Sequence, residues 1–163
     1  MSHDAPRCPN PFTCDGDTLG GLLIGLLDEA TPGDGDSLFR GRAVALASAV
    51  APVLAWVRDH KGVRIDLGQI QFAMALPNLC ILAAHRVFRV RQPVSRAVAE
   101  VSVADMPGAL VGPVQAYLCN LPGYDDRLPG DRQGRAAPGQ FHDYMLCMFA
   151  DAFARGDAAV NRS

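Results

Sequence analysis

Two clusters of residues are the first candidates for chemistry in this chain. The first closes a long apolar segment and consists of Trp56, Arg58, Asp59, His60 and Lys61. Arginine can form paired hydrogen bonds and tryptophan offers a large contact area, so this cluster could be a recognition or docking surface. The alternative is a structural helix end, where cations complement the helix dipole and Gly62 terminates the helix. Both hypotheses place the cluster at the carboxyl end of a helix.

The second cluster is rich in arginine and consists of Arg86, Phe88, Arg89, Arg91 and Arg96. Its guanidinium groups could contact phosphates and its phenylalanine could stack on a base, so it is a candidate nucleic-acid or partner-binding surface. The alternative is a solvated basic face, because the arginines do not share one helical face and Pro93 interrupts them. The net charge of −2 also argues against strong nonspecific attraction of the whole chain to nucleic acid.

A third group, His142, Asp143 and Cys147, has residue types used in nucleophilic catalysis. A catalytic thiol needs a lowered pKa and an oxyanion site, and the sequence indicates neither. We therefore expect a packed cysteine and a capping histidine. The five cysteines are scattered without CxxC spacing, which favours buried thiols in a reducing compartment over a disulfide framework.

Two further groups have metal-binding residue types without metal-site spacing. Asp125, Asp126 and Asp131 lie among prolines and glycines, which is typical of a solvated loop. His3, Cys8 and Cys14 have no second ligand pair, so a zinc site is disfavoured against a flexible tail. The sequence predicts no catalytic residue, no metal and no cofactor.

Composition favours one globular domain. The chain has 163 residues, of which 49% are hydrophobic and 20% charged, enough to build a core of its own. No unbroken apolar run approaches the roughly 20 residues that span a bilayer, and the N-terminus does not have the pattern of a signal sequence. We expect a soluble, cytoplasmic chain.

Apolar spacing of three and four residues predicts an all-α single-domain bundle of about six or seven helices. We expect a flexible N-terminal tail over residues 1–17, a helical domain over 18–155 with a mobile loop at 121–139, and a frayed C-terminus at 156–163. Thr18 is expected to cap the first helix. The longest helix should run from Asp36 or Ser37 to about His60, and Pro52 should kink it near Ser48 or split it.

Shorter elements follow the long helix. Asp66 and Gln69 have the spacing of a capping box, and Pro77 can open the next helix. Residues 94–101 alternate like a strand, but we expect a helix or irregular structure there. Pro107 should begin a further helix ending near Asn120, and a last helix should cover Gln140–Arg155. Its methionine and aromatic face is expected to join the core rather than form a partner groove.

An ordered series of segments resembles the helical insertion of the coupling ATPase of type IVB secretion, the Dot/Icm systems and their conjugative-plasmid relatives. The resemblance covers roughly residues 10 to 155. The sequence departs from the family pattern in the last helix, with Asp143 in place of a usual glycine and Leu146 and Met148 in place of usual glutamines. The matching segments are Asn10–Phe12, Leu26–Ala30, Leu38–Ala43, Ala55–Gly62, Leu76–Leu79, Ala116–Leu118 and Leu121–Tyr124, followed by His142, Tyr144 and Phe149.

The resemblance implies a part of a motor rather than the motor itself. In the family the nucleotide-binding loop precedes this region and the magnesium-site strand follows it. This sequence has neither, and Lys61 is its only lysine, so we expect no ATP hydrolysis. The family implies an all-α domain that helps recruit relaxase–DNA or effector cargo to a hexameric ATPase anchored at the inner membrane.

The partners implied are a secretion substrate or relaxosome protein, the remainder of the coupling ATPase, and DNA as a further candidate. The apolar substitutions in the last helix make self-association another candidate. The alternative function is a free-standing helical adaptor or DNA-binding protein of a mobile element, derived from that domain. The sequence leaves open the identity of the cargo, the choice between protein and DNA, and the oligomeric state.

Overall fold

The computed structural model describes residues 11–30, 37–129, 132 and 137–160. Within these ranges the chain is mostly helical, which confirms the predicted all-α class. A short 3-10 turn, Pro11–Thr13, precedes the first helix, and a single two-stranded hairpin interrupts the helices. The elements are α1 Gly16–Ala30, α2 Ser37–Lys61, α3 Leu67–Met74, α4 Leu76–His85, β1 Val87–Arg91, β2 Val98–Ser102, α5 Gly108–Cys119 and α6 Ala137–Val160.

The first two helices pack closely where each has an unusual residue. The cap of α1 is Asp15 rather than Thr18, since the Thr18 amide donates to Asp15 Oδ1 at 2.8 Å. Helix α2 continues through Pro52, so the predicted split does not occur. Gly16 lies directly on this proline, and a methyl group there would come within 2.8 Å of Pro52 Cα. The glycine is required at this contact because no side chain fits.

Helix α2 is the centre of the core. It packs against α1, α5 and α6, and its inward side chains are fully buried beside leucines of α1. The part of α2 from Phe39 to Lys61 is long enough and apolar enough to cross a membrane, with a mean hydropathy of 1.2 over its most apolar window. Polar residues nevertheless interrupt its apolar sequence. Of that window 56% is buried inside the fold, as in the core helix of a globular domain.

Helices α3 and α4 form a bent pair, with an angle of 71° between them at Ala75. Asp66 caps α3 as predicted, accepting a hydrogen bond from the Gln69 amide at 2.8 Å. The reciprocal half of the predicted capping box does not form, because the Gln69 side chain turns towards β1 instead. Pro77 lies in the first turn of α4, as expected from its missing donor.

The hairpin overturns one expectation. Residues 94–101 are expected to be helical or irregular, yet β1 and β2 pair antiparallel from Val87 opposite Ser102 to Arg91 opposite Val98. Apolar Phe88, Val90, Ala99 and Val101 alternate with polar residues, so one face of the hairpin can be buried. The alternation was visible in the second strand, but a hairpin becomes evident only when both segments are paired.

The C-terminal half keeps the predicted helices with changed bounds. Helix α5 starts after Pro107 and ends at Cys119, next to the predicted end at Asn120. Helix α6 begins at Ala137, before the predicted start, and extends beyond Arg155 to Val160. Most of the N-terminal tail, part of the predicted mobile loop and the last residues lie outside the described ranges.

Candidate partner-binding surface

The Trp56 cluster is held together by contacts among its own residues and their neighbours. The His60 ring stacks on the Trp56 ring at 4.5 Å, and its Nδ1 lies 3.0 Å from the Trp56 carbonyl. The Lys61 ammonium lies 5.5 Å from the same indole ring and 2.8 Å from a carboxylate oxygen of Asp105. The end of α2 is thereby tied to the segment that follows β2.

Arg58 has an internal structural role in this cluster. Its Nη1 donates to the Phe12 carbonyl at 2.8 Å and to the Cys14 carbonyl at 2.6 Å. Its Nε donates to Asp59 at 2.7 Å, and the side chain is only 16% exposed. Arg58 therefore fastens the segment before α1 to the end of α2. The carbonyls that it binds belong to that segment and not to the end of α2, so this structural role differs from the predicted helix cap, and a docking role for the cluster stays a prediction.

The carboxylates at this end of α2 are stabilised in their charged form. The Arg58 hydrogen bonds lower the pKa of Asp59, and the Lys61 hydrogen bond lowers the pKa of Asp105. Both carboxylates are exposed, so their contribution to stability is screened by solvent. The cluster therefore stays paired at neutral pH, with its cations turned towards partners within the chain.

The arginine cluster divides into two inner and two outer residues. Arg86 ends α4 in a left-handed conformation with φ 55°, and its guanidinium donates to the Met106 carbonyl at 3.3 Å. Arg89 lies 3.4 Å from Glu100 and donates to Asn78 Oδ1 at 3.4 Å. These two side chains are partly buried and hold the hairpin against the helices.

Arg91 and Arg96 lie at the outer end of the hairpin and are exposed. Neither makes an ion pair with another described residue. Val94, at the tip between them, is 97% exposed and Val98 is 44% exposed. The outer hairpin thus combines unpaired positive charge with exposed apolar surface. Phe88, in contrast, is 3% exposed and belongs to the core, so it is not accessible for stacking on a base.

A groove of about 780 Å³ lies between the hairpin and the segment that joins α2 to α3. Leu67, Val90, Ala99 and Val101 give it apolar walls. The cations Arg64, Arg91 and Arg96 also line it, together with the carboxylate of Asp66. The side chain of Arg64 is 84% exposed, and this residue is not among the site residues predicted from the sequence. Its signal is the pattern Val63-Arg64-Ile65, in which the two apolar residues are buried and the arginine points outwards.

Of the other residues considered for chemistry, His3, Cys8 and Asp131 lie outside the described ranges. His142 is fully buried, with Nε2 donating to the Met74 carbonyl at 2.7 Å and Nδ1 accepting from the Tyr117 hydroxyl at 2.8 Å. Cys147 and Asp143 are exposed, so the expected packed cysteine is wrong. Met74 is the last residue of α3, so the bond from His142 to its carbonyl agrees with the expected capping histidine. Cys14 and Cys80 are buried as expected, and Cys119 is exposed. Among the described residues, no three His, Cys, Asp or Glu side chains form a metal-ligand group.

Comparison with known proteins gives the class to which this helical domain is similar: the coupling proteins of type IV secretion. One similar protein is the type 4 coupling protein DotL of Legionella pneumophila subsp. pneumophila, strain Philadelphia 1. The two sequences are 27% identical over 147 residues, which is 89% of this chain and 18% of the length of DotL. No family model matches the chain. The similarity supports the relation to coupling proteins that the ordered segments predicted.

Proposed function

We propose that this chain is the all-α domain of a type IV secretion coupling protein and that it helps recruit transfer substrates to a hexameric ATPase motor. The observation that carries the proposal is the similarity to DotL along 89% of the chain. The matching part covers only 18% of the length of DotL. A match to so small a part of a longer coupling protein supports the assignment of this chain to one domain of such a protein. Its place in the cytoplasm, with the motor anchored at the inner membrane, is part of the same proposal.

The role proposed for this domain is binding without catalysis. The sequence has no phosphate-binding loop with a lysine, and no three His, Cys, Asp or Glu side chains among the described residues form a metal-ligand group. The groove beside the hairpin offers what a partner needs, namely accessible apolar surface with a charged rim. Purified chain is expected to show no nucleotide-saturable ATP hydrolysis, and a saturable rate would contradict the non-catalytic role.

Transfer assays in the source cell test the recruiting role. With Arg91→Ala and Arg96→Ala introduced together at the native locus, we expect transfer of a reporter-fused substrate to fall several-fold while the abundance of the protein is unchanged. The matched control is Arg40→Ala with Arg127→Ala, which removes two exposed arginines that do not line the groove. Equal transfer by both double variants would contradict a role for this surface in recruitment.

The second candidate is a free-standing adaptor or DNA-binding protein of a mobile element. The guanidiniums of Arg91 and Arg96 are exposed and pair with no carboxylate in the described part of the chain, which favours a DNA-binding form of that function. Fluorescence anisotropy with single-stranded DNA at two salt concentrations tests it, because phosphate contacts weaken steeply as salt rises. Salt-sensitive binding that depends on both arginines would support it, and an open reading frame that continues into nucleotide-binding motifs on both sides would contradict a free-standing protein.

A further inference from the structure

The two outer edges of the hairpin differ in a way that bears on binding. In the ladder, the Gln92 amide donates to the Ala97 carbonyl at 2.8 Å and the Val103 amide donates to the Arg86 carbonyl at 2.8 Å. In an antiparallel pair, the main-chain N–H and C=O groups of successive residues point alternately towards the partner strand and away from it. Counting from these two bonds, the main-chain groups of Arg89 and Arg91 point away from β2, on the outer edge of β1. The same alternation places those of Val98, Glu100 and Ser102 on the outer edge of β2.

The edge of β1 is occupied by a side chain of the protein itself. Gln69 Nε2 donates to the Arg89 carbonyl at 3.1 Å, and the Arg91 amide donates to Gln69 Oε1 at 3.0 Å. The carboxamide thus takes the place of a peptide group from a neighbouring strand. Gln69 is 5% exposed, so no further strand can pair there without displacing a buried residue.

The edge of β2 is open. No described residue donates to or accepts from the outward main-chain groups of Val98, Glu100 and Ser102, and all three residues are exposed. An exposed strand edge can pair with an extended segment from another chain. In such pairing the main-chain hydrogen bonds supply affinity, and pockets for alternate side chains supply specificity.

The groove lies on one face of this open strand and defines what an added strand would carry. Ala99 and Val101 belong to β2 and line the groove, so alternate side chains of a strand beside β2 would project towards it. The groove is lined by three arginines and one carboxylate, and that carboxylate already caps α3. Apolar side chains therefore suit the walls, and acidic side chains suit the rim.

We infer that the open edge of β2 binds an extended segment of a partner protein, apolar at alternate positions and acidic at its ends, by strand addition beside the groove. The source of the segment follows from the proposed recruiting role, on which the inference rests in this respect. The segment would belong to a transfer substrate or to a protein that delivers one. Binding of the segment itself is a separate, measurable property of the chain.

The test uses the full chain and a fluorescein-labelled peptide with alternating valine and threonine between paired glutamates. We expect saturable binding that weakens as salt rises. N-methylation of alternate peptide amides removes donors without touching the protein, and we expect it to weaken binding about three- to tenfold or more. A lysine-for-glutamate peptide should bind weakly or not at all. Equal binding of the N-methylated or the lysine peptide would overturn the inference.

A proline in β2 tests the same edge from the side of the protein. Glu100→Pro removes an outward N–H while the ladder bonds to β1 remain, which strands tolerate at an edge. The matched control, Glu100→Ala, loses the carboxylate near Arg89 but keeps the N–H. We expect the proline variant to bind the peptide several-fold more weakly than the alanine variant. Slowed hydrogen exchange of the Val98, Glu100 and Ser102 amides on peptide addition is expected in the unmodified chain, whatever the fate of the proline variant.

The remaining outcomes separate this inference from its rivals. Binding of single-stranded DNA with no binding of the acidic peptide would overturn it in favour of a nucleic-acid surface. A concentration-dependent dimer that Glu100→Pro abolishes would overturn it in favour of edge pairing between two copies. Peptide binding together with unchanged transfer by the Arg91→Ala, Arg96→Ala variant would leave the inference standing and contradict a role for this surface in recruitment. Reduced transfer by that variant without any peptide binding would overturn the inference and leave the recruiting role standing.

Discussion

At the scale of single residues, His142 makes the stability of the core depend on pH. Burial lowers its pKa, against smaller opposing effects of the Met74 hydrogen bond and the Asp143 charge. In the unfolded chain a histidine has a pKa of about 6.5. When folding lowers that pKa, the stabilisation of the folded state by the neutral histidine is complete above about pH 6.5. The contribution is lost as pH falls, because the unfolded chain binds a proton that the folded chain does not.

We therefore expect the free energy of unfolding to fall below about pH 6.5, by up to about 1.4 kcal/mol per pH unit for this one proton. Urea denaturation across this range, with and without His142→Gln, measures the effect. The variant is less stable overall since it disturbs a buried pair of hydrogen bonds. Its stability should nevertheless change less with pH, and an unchanged pH dependence would contradict the role of His142.

Arg58 provides a second residue-scale prediction. Arg58→Ala removes hydrogen bonds to two main-chain carbonyls and should destabilise the fold by roughly 1–3 kcal/mol, since hydrogen bonds to charged groups are among the stronger ones. Lys61→Ala removes a surface ion pair and should cost at most about 1 kcal/mol. Thermal melts of the two variants compare them directly. A larger loss for Lys61→Ala would assign the structural role in this cluster to the wrong cation.

At the scale of elements, Gln69 joins α3 to the hairpin. Gln69→Glu keeps the shape of the side chain but replaces the donor facing the Arg89 carbonyl with an acceptor. We expect a loss of roughly 1–3 kcal/mol and faster hydrogen exchange in β1. Asp66→Ala is the control, because it removes the cap of the same helix, worth about 1 kcal/mol, without touching the hairpin. Similar exchange rates in β1 for both variants would rule out Gln69 as the link.

The contact between α1 and α2 gives a matched pair of glycines. Gly16→Ala would place a methyl group 2.8 Å from Pro52 Cα, so the two helices must shift, at a cost of about 1–3 kcal/mol. Gly21→Ala meets nothing within 4 Å and should stabilise α1 by about 0.5–1 kcal/mol. Chemical denaturation of both variants measures the difference. Equal stabilities would show that the close packing at Pro52 is not maintained in solution.

Helices were more predictable than the hairpin for a physical reason. The spacing of Leu46, Val50 and Val57 specifies the buried face of α2 within one segment of sequence. A strand pair depends on two segments at once, so the alternation around Glu100 was ambiguous until its partner Arg89 was known. The groove was harder still, because Arg64 and Arg96 line it from distant parts of the sequence.

At the scale of the whole molecule, the described elements share one core. Phe88 of the hairpin is buried with residues of α2, α5 and α6 in a single hydrophobic cluster. The chain should therefore unfold in one transition, with far-ultraviolet circular dichroism and Trp56 fluorescence following the same urea curve. Separate transitions would show that the hairpin side and the long helices unfold independently.

Helix α3 has a mechanical consequence, since it is fastened at both ends to different parts of the molecule. Gln69 near its start carries the hairpin, and the Met74 carbonyl at its end accepts the hydrogen bond from His142 of α6. A force that pulls on the hairpin would be transmitted through the eight-residue helix α3 to the longest helices. The loop at the hairpin tip would carry only part of that force. Under an applied force the hairpin should therefore keep its position on the core until the contacts of α3 at Gln69 or Met74 break.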